Sequence, residues 1–297
     1  MGRRRRSGQD IHGIILLDKP VGLSSNAALQ RARRALDANK AGHTGSLDPF
    51  ASGMLPVCLG NATRFSQFLL DADKTYRAEA GLGVATSTGD PEGEETDRQP
   101  LPDLNPDLIE AAAATLRGPI RQRPPMYSAL KHQGKRLYEL ARRGEVVDRP
   151  LRDVVIHELK VELTAPDTLA LEVRCSKGTY IRTLVEDLAK ALHTVAHTRA
   201  LRRLEVGAFR GKPMISLDQV EQTGQAPLLP VDAAIRELPR ADLSEEQTRL
   251  ARHGQLLALP CEPDGSPWRL YSPAGEFLGL ARASDQGLAP FRMIATS

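Results

Sequence analysis

The stretch Ala41–Gly53 reads AGHTGSLDPFASG, and its reading decides what the rest of the fold is for. It holds Gly42, Gly45 and Gly53, one proline at 49 and one carboxylate, Asp48, preceded by the hydroxyls of Thr44 and Ser46. The neighbouring acids along the chain are distant, Asp37 upstream and Asp71 downstream. Pro49 fixes its own φ and steers Asp48 away from the helical region. Gly45 and Gly53 permit backbone conformations that other residues resist. An ordinary turn accounts for such a stretch, because Asp-Pro is common in turns. A loop built to hold one carboxylate for chemistry accounts for it as well, and these residues alone leave both readings open, with the turn the commoner.

Working outward, Gly13–Ser25 (GIILLDKPVGLSS) predicts a buried strand, a proline turn and a helix start capped by Ser24 or Ser25. The helix runs on through NAALQRARRAL. Tyr76–Val84 and Val154–Leu163 read as strands, and Leu169–Cys175 alternates, with Leu169, Leu171, Val173 and Cys175 on one face. Ile181, Leu184, Val185, Leu188 and Leu192 then follow helical spacing. Strands and helices mix without a βαβ repeat, which predicts an α+β fold with a mixed, largely antiparallel sheet flanked by helices. Pro227–Pro239 reads as turns and a linker. Beyond it, a helix over Leu243–Gly254 and short strands at LLAL, WRLYS, EFLGLAR and FRMIA predict a small β-rich module.

Formal net charge is only +3, but it is unevenly placed. Residues 1–9 carry four arginines and no acid, and residues 121–152 carry nine Lys and Arg against Glu139, Glu145 and Asp148. A basic tail and a basic internal excursion attract polyanions, of which a phosphate backbone is the commonest. No apolar run reaches the 18 residues of a membrane span. MGRRRRSGQD lacks the apolar segment of a secretory signal, and Arg6 stands where a myristoylation motif needs Ser or Thr. Cys58, Cys175 and Cys261 are few and far apart, as expected of a reducing cytoplasm.

Most familiar chemistries find no footing. His193 and His197 stand four apart, as a helical metal pair would, but no third ligand is evident and no CxxC occurs, so no metal is expected. GxxxxGK[ST], GxGxxG after a strand and GxSxG are all absent, which disfavours nucleotide cofactors and a serine nucleophile. No carboxylate pair suited to glycoside hydrolysis presents itself.

The blocks GHTGSLDPFASGMLPVCLGNATRF, LLDKPVGLSS, DKTYRAEAGLG, PPMYSALKHQGKRLYELARRG, CSKGTYIRTLVEDLAKAL and LRRLEVGAF together resemble the TruB family of tRNA pseudouridine synthases. They stand in that family's order and span residues 10–210, with Ser46 where the family more often has threonine. The resemblance implies the pseudouridine synthase fold: a basic tail over 1–9, a catalytic domain over 10–235 containing an RNA-clamping insertion over 121–152, and a PUA-like module over 236–297. It implies a cofactor-free isomerase of cytoplasmic location that acts as a monomer on uridine-55 in the T-arm of tRNA, without guide RNA or membrane. Asp48 is then the catalytic carboxylate. Arg182 is its counter-charge, Tyr76 and Tyr180 are pocket tyrosines, Leu201 is an apolar pocket residue, and His43 fills the gap left by a flipped base. Lys19, Lys131, Lys135, Arg142 and Arg143 are candidate RNA contacts. From residue 241 onward the chain carries five Arg and seven acids, which argues against the C-terminal module as a main RNA anchor.

Overall fold

The computed structural model describes residues 8–128 and 130–294, so the arginines of the basic tail lie outside the described residues. A nine-stranded sheet forms the centre of the fold. Its order is Ile215–Ser216, Gly13–Lys19, Ser52–Leu59, Ala196–Val206, Lys74–Leu82, Thr168–Cys175, Arg152–Ala165 and Gly118–Gln122, with Ala41–His43 paired to Ser52–Leu59 off that path. Two pairings are parallel, Gly13–Lys19 with Ile215–Ser216 and Ser52–Leu59 with Ala196–Val206. The other pairings in this sheet are antiparallel, as the α+β reading predicts.

Gly13–Lys19 is apolar on both faces because both faces are covered. Ile15 and Leu17 pack with Leu55 and Val57 under the helix Ser25–Ala35, whereas Ile14 and Leu16 pack with Met54, Cys58 and Phe209 on the other side. Leu169, Leu171, Val173 and Cys175 bury one face of their strand against Ile181, Leu184, Val185 and Leu188 of the helix Ile181–Ala191. Each buried leucine or isoleucine there contributes about 1.5–3 kcal/mol by leaving water. Ser24, with its side chain accepting from the Ala27 amide, is the helix cap. Ser25 is buried and serves the Asp48 loop instead.

Strand Ser52–Leu59 escapes the sequence pattern, because it is buried almost throughout and carries Pro56, which usually demotes a strand. The predicted strand from Tyr76 stops at Leu82. Gly83 turns with φ of 83°, and Val84 opens a separate short ribbon. His193 and His197 do not share a helix. The helix ends at Ala191, His193 turns in the left-handed region, and His197 sits on a strand with its Nδ1 2.9 Å from the Val84 carbonyl.

A second, four-stranded sheet follows, ordered Arg240–Asp242, Pro267–Tyr271, Phe277–Ser284 and Gly287–Met293. The helix Glu245–Arg252 packs with it, opened by a capping box between Ser244 and Gln247. LLAL forms no strand and contributes only the bridge of Leu257 to Leu288, while Arg240–Asp242 is a strand that the pattern does not announce. The 227–239 stretch is not a free linker. Ile235 packs in a cluster with Phe65 and Leu280, joining the two sheets. Among the described residues no helix is long and apolar enough to cross a membrane.

Candidate active site

Asp48 lies on the loop between Ala41–His43 and Ser52–Leu59. The loop is fastened along its length. The Ser25 hydroxyl donates to the Leu47 carbonyl at 3.0 Å and accepts from the Leu47 amide at 2.7 Å. The Thr44 amide donates to the Pro56 carbonyl at 3.1 Å, and the Gly22 amide donates to the Pro49 carbonyl at 2.8 Å. Leu47 and Phe50, flanking the acid, are buried in the main core. Where the loop re-enters the sheet, Gly53 has φ of 101° and a Cβ would stand 2.2 Å from the Arg203 carbonyl oxygen. Only glycine allows that approach. The elaborate turn therefore fixes one carboxylate in place, and what it points at is a guanidinium.

Arg182 Nη2 lies 2.9 Å from Asp48 Oδ2. The arginine side chain is 4% exposed and the aspartate 38%, so the cation is held inside and the acid is partly open to solvent. Arg182 is placed at the start of its helix, and both terminal nitrogens of its planar fork are engaged. Nη1 reaches Asp90 Oδ2 at 3.2 Å and donates to the Thr88 carbonyl at 2.7 Å, while Nη2 donates to the Tyr127 carbonyl at 2.6 Å. Asp90 is itself held by the Thr88 hydroxyl at 2.5 Å and the Glu92 amide at 3.0 Å. Burial pushes the Asp48 carboxyl above the usual carboxylate value. The Arg182 charge pulls it down and Asp90 pushes it up again. The net direction is upward, so Arg182 only partly offsets the loss of water.

Tyr76, on Lys74–Leu82, stands between Val173 and Arg203 of the neighbouring strands and is half-buried against the main core. Burial raises its phenol, which the charge of Arg203 opposes. Tyr180 precedes the Arg182 helix, and its main chain is gripped by Gln122. The Tyr180 amide donates to Oε1 at 3.0 Å, and Nε2 donates to the Tyr180 carbonyl at 3.3 Å. Burial likewise raises its phenol. Leu201 is buried in the cluster that holds Leu47 and Phe50. Among the described residues the buried His43 Nδ1 has no partner, and burial and then the Arg203 charge hold the ring below its usual value, hence neutral.

Lys19, a candidate RNA contact by sequence, does not reach the surface. It is fully buried, and its ammonium donates to the carbonyls of Pro20, Leu23 and Pro49 at 2.8, 2.6 and 3.4 Å, directly behind the Asp48 loop. Burial lowers it to about 8. A strongly apolar run ending in lysine reads from sequence as a strand with an exposed end, and here the proline turn folds back over that end. Lys135, Arg142 and Arg143 are exposed, whereas the Lys131 side chain lies outside the description. Asp90, Thr88 and Tyr127 escape sequence reasoning. Thr88 and Asp90 lie in a Thr- and Ser-rich loop and Tyr127 in the Arg- and Pro-rich stretch before Ala129, and only the fold brings them to Arg182.

Residues 33–181 match the family model for TruB family pseudouridylate synthase (N terminal domain). Residues 182–237 match tRNA pseudouridylate synthase B C-terminal domain, and 239–294 match Pseudouridine synthase II TruB, C-terminal. The chain belongs to the TruB family. It is a pseudouridine synthase, an isomerase that modifies RNA. Over 300 residues it is 47% identical to tRNA pseudouridine synthase B of Nitrosococcus oceani, covering 98% of this chain and 97% of that protein. The protein of the same name from Vibrio campbellii is 46% identical, with 98% of each covered. A chain in the crystal structure of a Cbf5–Nop10–Gar1 complex superposes with a TM-score of 0.71 at 26% identity, covering 96% of this chain and 84% of that one. A chain in the structure of an H/ACA RNP bound to a substrate RNA containing 2′-deoxyuridine shares the fold, with a TM-score of 0.72 at 23% identity, covering 99% and 92%.

Proposed function

We propose that this chain converts uridine-55 in the T-loop of tRNA to pseudouridine, acting alone, with Asp48 as the catalytic carboxylate. The observation that carries the reading is the Arg182–Asp48 contact of 2.9 Å, in which a buried guanidinium holds one fixed, partly exposed acid. Its relatives' name, tRNA pseudouridine synthase B, supports the choice of substrate.

The reaction breaks the bond from N1 of uracil to C1′, turns the base and joins C5 to C1′. The C5 proton leaves, N1 gains a proton, and nothing is oxidised, reduced or hydrolysed. Asp48 serves by attacking the ribose at C1′ or by taking the C2′ proton, and its ionised form is the competent one in either case. A loop pinned at Leu47, Asp48 and Pro49 holds the carboxylate in attacking geometry at little entropic cost.

The target uridine is flipped out of its stack, at a cost of a few kcal/mol. Tyr76 and Tyr180 provide rings for the flipped base, Leu201 an apolar wall, and the neutral His43 ring a filler for the vacated position. Tyr76 is also the group we assign to receiving the C5 proton. Lys131, Lys135, Arg142 and Arg143 of the basic insertion grip phosphates. We read residues 10–235 as the catalytic domain, 121–152 as its RNA clamp and 236–297 as a PUA-like module.

Incubating purified protein with unmodified tRNA, without guide RNA or other additives, tests this. Pseudouridine at position 55 is expected. Product only after adding a guide RNA would replace the stand-alone reading, and no product under either condition would leave an RNA-binding protein.

A further inference from the structure

The block LRRLEVGAF contains an arginine that the chemistry above does not use. Arg203 is 1% exposed and is among the largest fully buried side chains in the molecule. Among the described residues no carboxylate pairs with it, which is unusual for a buried cation. Its partners are carbonyls on either side of the Asp48 loop. Nε donates to the Met54 carbonyl at 2.7 Å, and Nη2 donates to the Gly45 carbonyl at 3.0 Å. A Cβ on Gly45 would stand 3.5 Å from Nη1, so the guanidinium lies directly beneath that loop.

The sheet explains the placement. Strand Ala196–Val206 runs between Ser52–Leu59 and Lys74–Leu82, and Arg203 pairs with Gly53 on one side and with Tyr76 on the other. One residue thus sits where the acid's loop meets the tyrosine's strand.

We propose that Arg203 is a positioning residue for the isomerisation, a buried guanidinium that clamps both ends of the Asp48 loop and holds the Tyr76 phenol in place to take the C5 proton. This rests on the roles given above to Asp48 and Tyr76. A buried charge without a counter-charge is costly, and a role at the site gives a reason for keeping it. The charged and titratable groups that act on the Tyr76 phenol are Arg203, Cys175 and Asp48. Arg203 favours the ionised phenol, whereas Asp48, Cys175 and burial disfavour it. Arg203 is thus the group that opposes burial at the Tyr76 phenol.

Arg203→Gln and Arg203→Lys, in the full chain, are measured in single turnover on saturating unmodified tRNA across a pH series, together with tRNA affinity. Arg203→Gln is expected to lose on the order of a hundredfold in rate, to change affinity little, and to shift to higher pH the limb of its pH profile that belongs to Tyr76, above that of Asp48. Arg203→Lys keeps the charge and should leave that limb in place, with a smaller loss of rate. Tyr76→Phe is measured by thermal melting, which depends on neither turnover nor the folding of an Arg203 variant. Phenylalanine keeps the packing but removes the oxygen on which the Arg203 charge acts, so Tm is expected to fall, on the order of 3 °C or more.

A folded Arg203→Gln enzyme with near wild-type rate and pH profile, or a Tyr76→Phe protein with unchanged or higher Tm, overturns the proposal. Wild-type protein that makes no pseudouridine while Tyr76→Phe still lowers Tm would instead refute the functional reading and leave the contact standing.

Discussion

Asp48 and Arg182 are unequal partners. The cation is enclosed and held by Asp90 and two backbone carbonyls, while the acid faces outward. Because the Asp48 carboxyl is pushed above its ordinary 3.8, the rate should fall as pH drops through a midpoint above that value, which a pH series in single turnover reads. The same shift has a sign for stability. Between 3.8 and the raised value the folded chain keeps a proton that the unfolded chain has lost. The contribution of Asp48 to stability therefore declines as pH rises through that window. Asp48→Asn should accordingly abolish product while leaving Tm unchanged or higher and tRNA affinity largely intact. Turnover by an Asn variant shown free of wild type would remove Asp48 from the mechanism. Arg182→Lys keeps one charge but cannot serve the four acceptors now held by a planar fork. At least about a hundredfold fall in rate is expected with the fold retained, and near-normal rate would mean that the paired geometry is dispensable.

The basic insertion behaves as an element with its own footing. Its short helix Leu137–Ala141 buries Leu137 and Leu140, while Arg142, Arg143 and Lys135 stay exposed. Arg142 lies 5.8 Å over the Tyr138 ring, and the Arg149 guanidinium donates to the Pro124 carbonyl at 3.0 Å, tying the ends of the excursion together. If these cations neutralise phosphates, each real contact contributes a salt slope of about 0.7–0.9. Changing Lys131, Lys135, Arg142 and Arg143 together to alanine should then flatten the dependence of log affinity on log salt by more than about one unit, with little change in rate at saturating tRNA. An unaltered slope would dismiss the clamp and leave the Asp48 site untouched. Local pattern made this segment legible because charge and a short amphipathic repeat are both sequential. The contact of its Tyr127 carbonyl with Arg182 was not legible, since a backbone acceptor leaves no trace in side-chain identity.

Across the whole molecule, the two sheets are joined by apolar packing. Phe65, Ile235 and Leu280 are buried together, and the Phe65 and Phe277 rings lie 5.3 Å apart. Leu280→Ala should cost about 2–5 kcal/mol and lower Tm accordingly. A melt unchanged by that substitution would show that the cluster contributes nothing to the joint. The amino-acid sequence alone determined the alternating strand at Leu169–Cys175, the helix carrying Arg182, the position of Asp48 and the family, because periodicity, punctuation by proline and glycine, and ordered motifs are properties of neighbours along the chain. Tertiary structure decided the rest. It turned Lys19 from a surface cation into a buried support of the loop, split Ser24 from Ser25 into a cap and a loop fastener, and brought Asp90 to Arg182 and Arg203 to Tyr76. Each of those outcomes depends on which strands lie side by side, and burial against a distant segment is what sets the charge, the partner and the role of the residue.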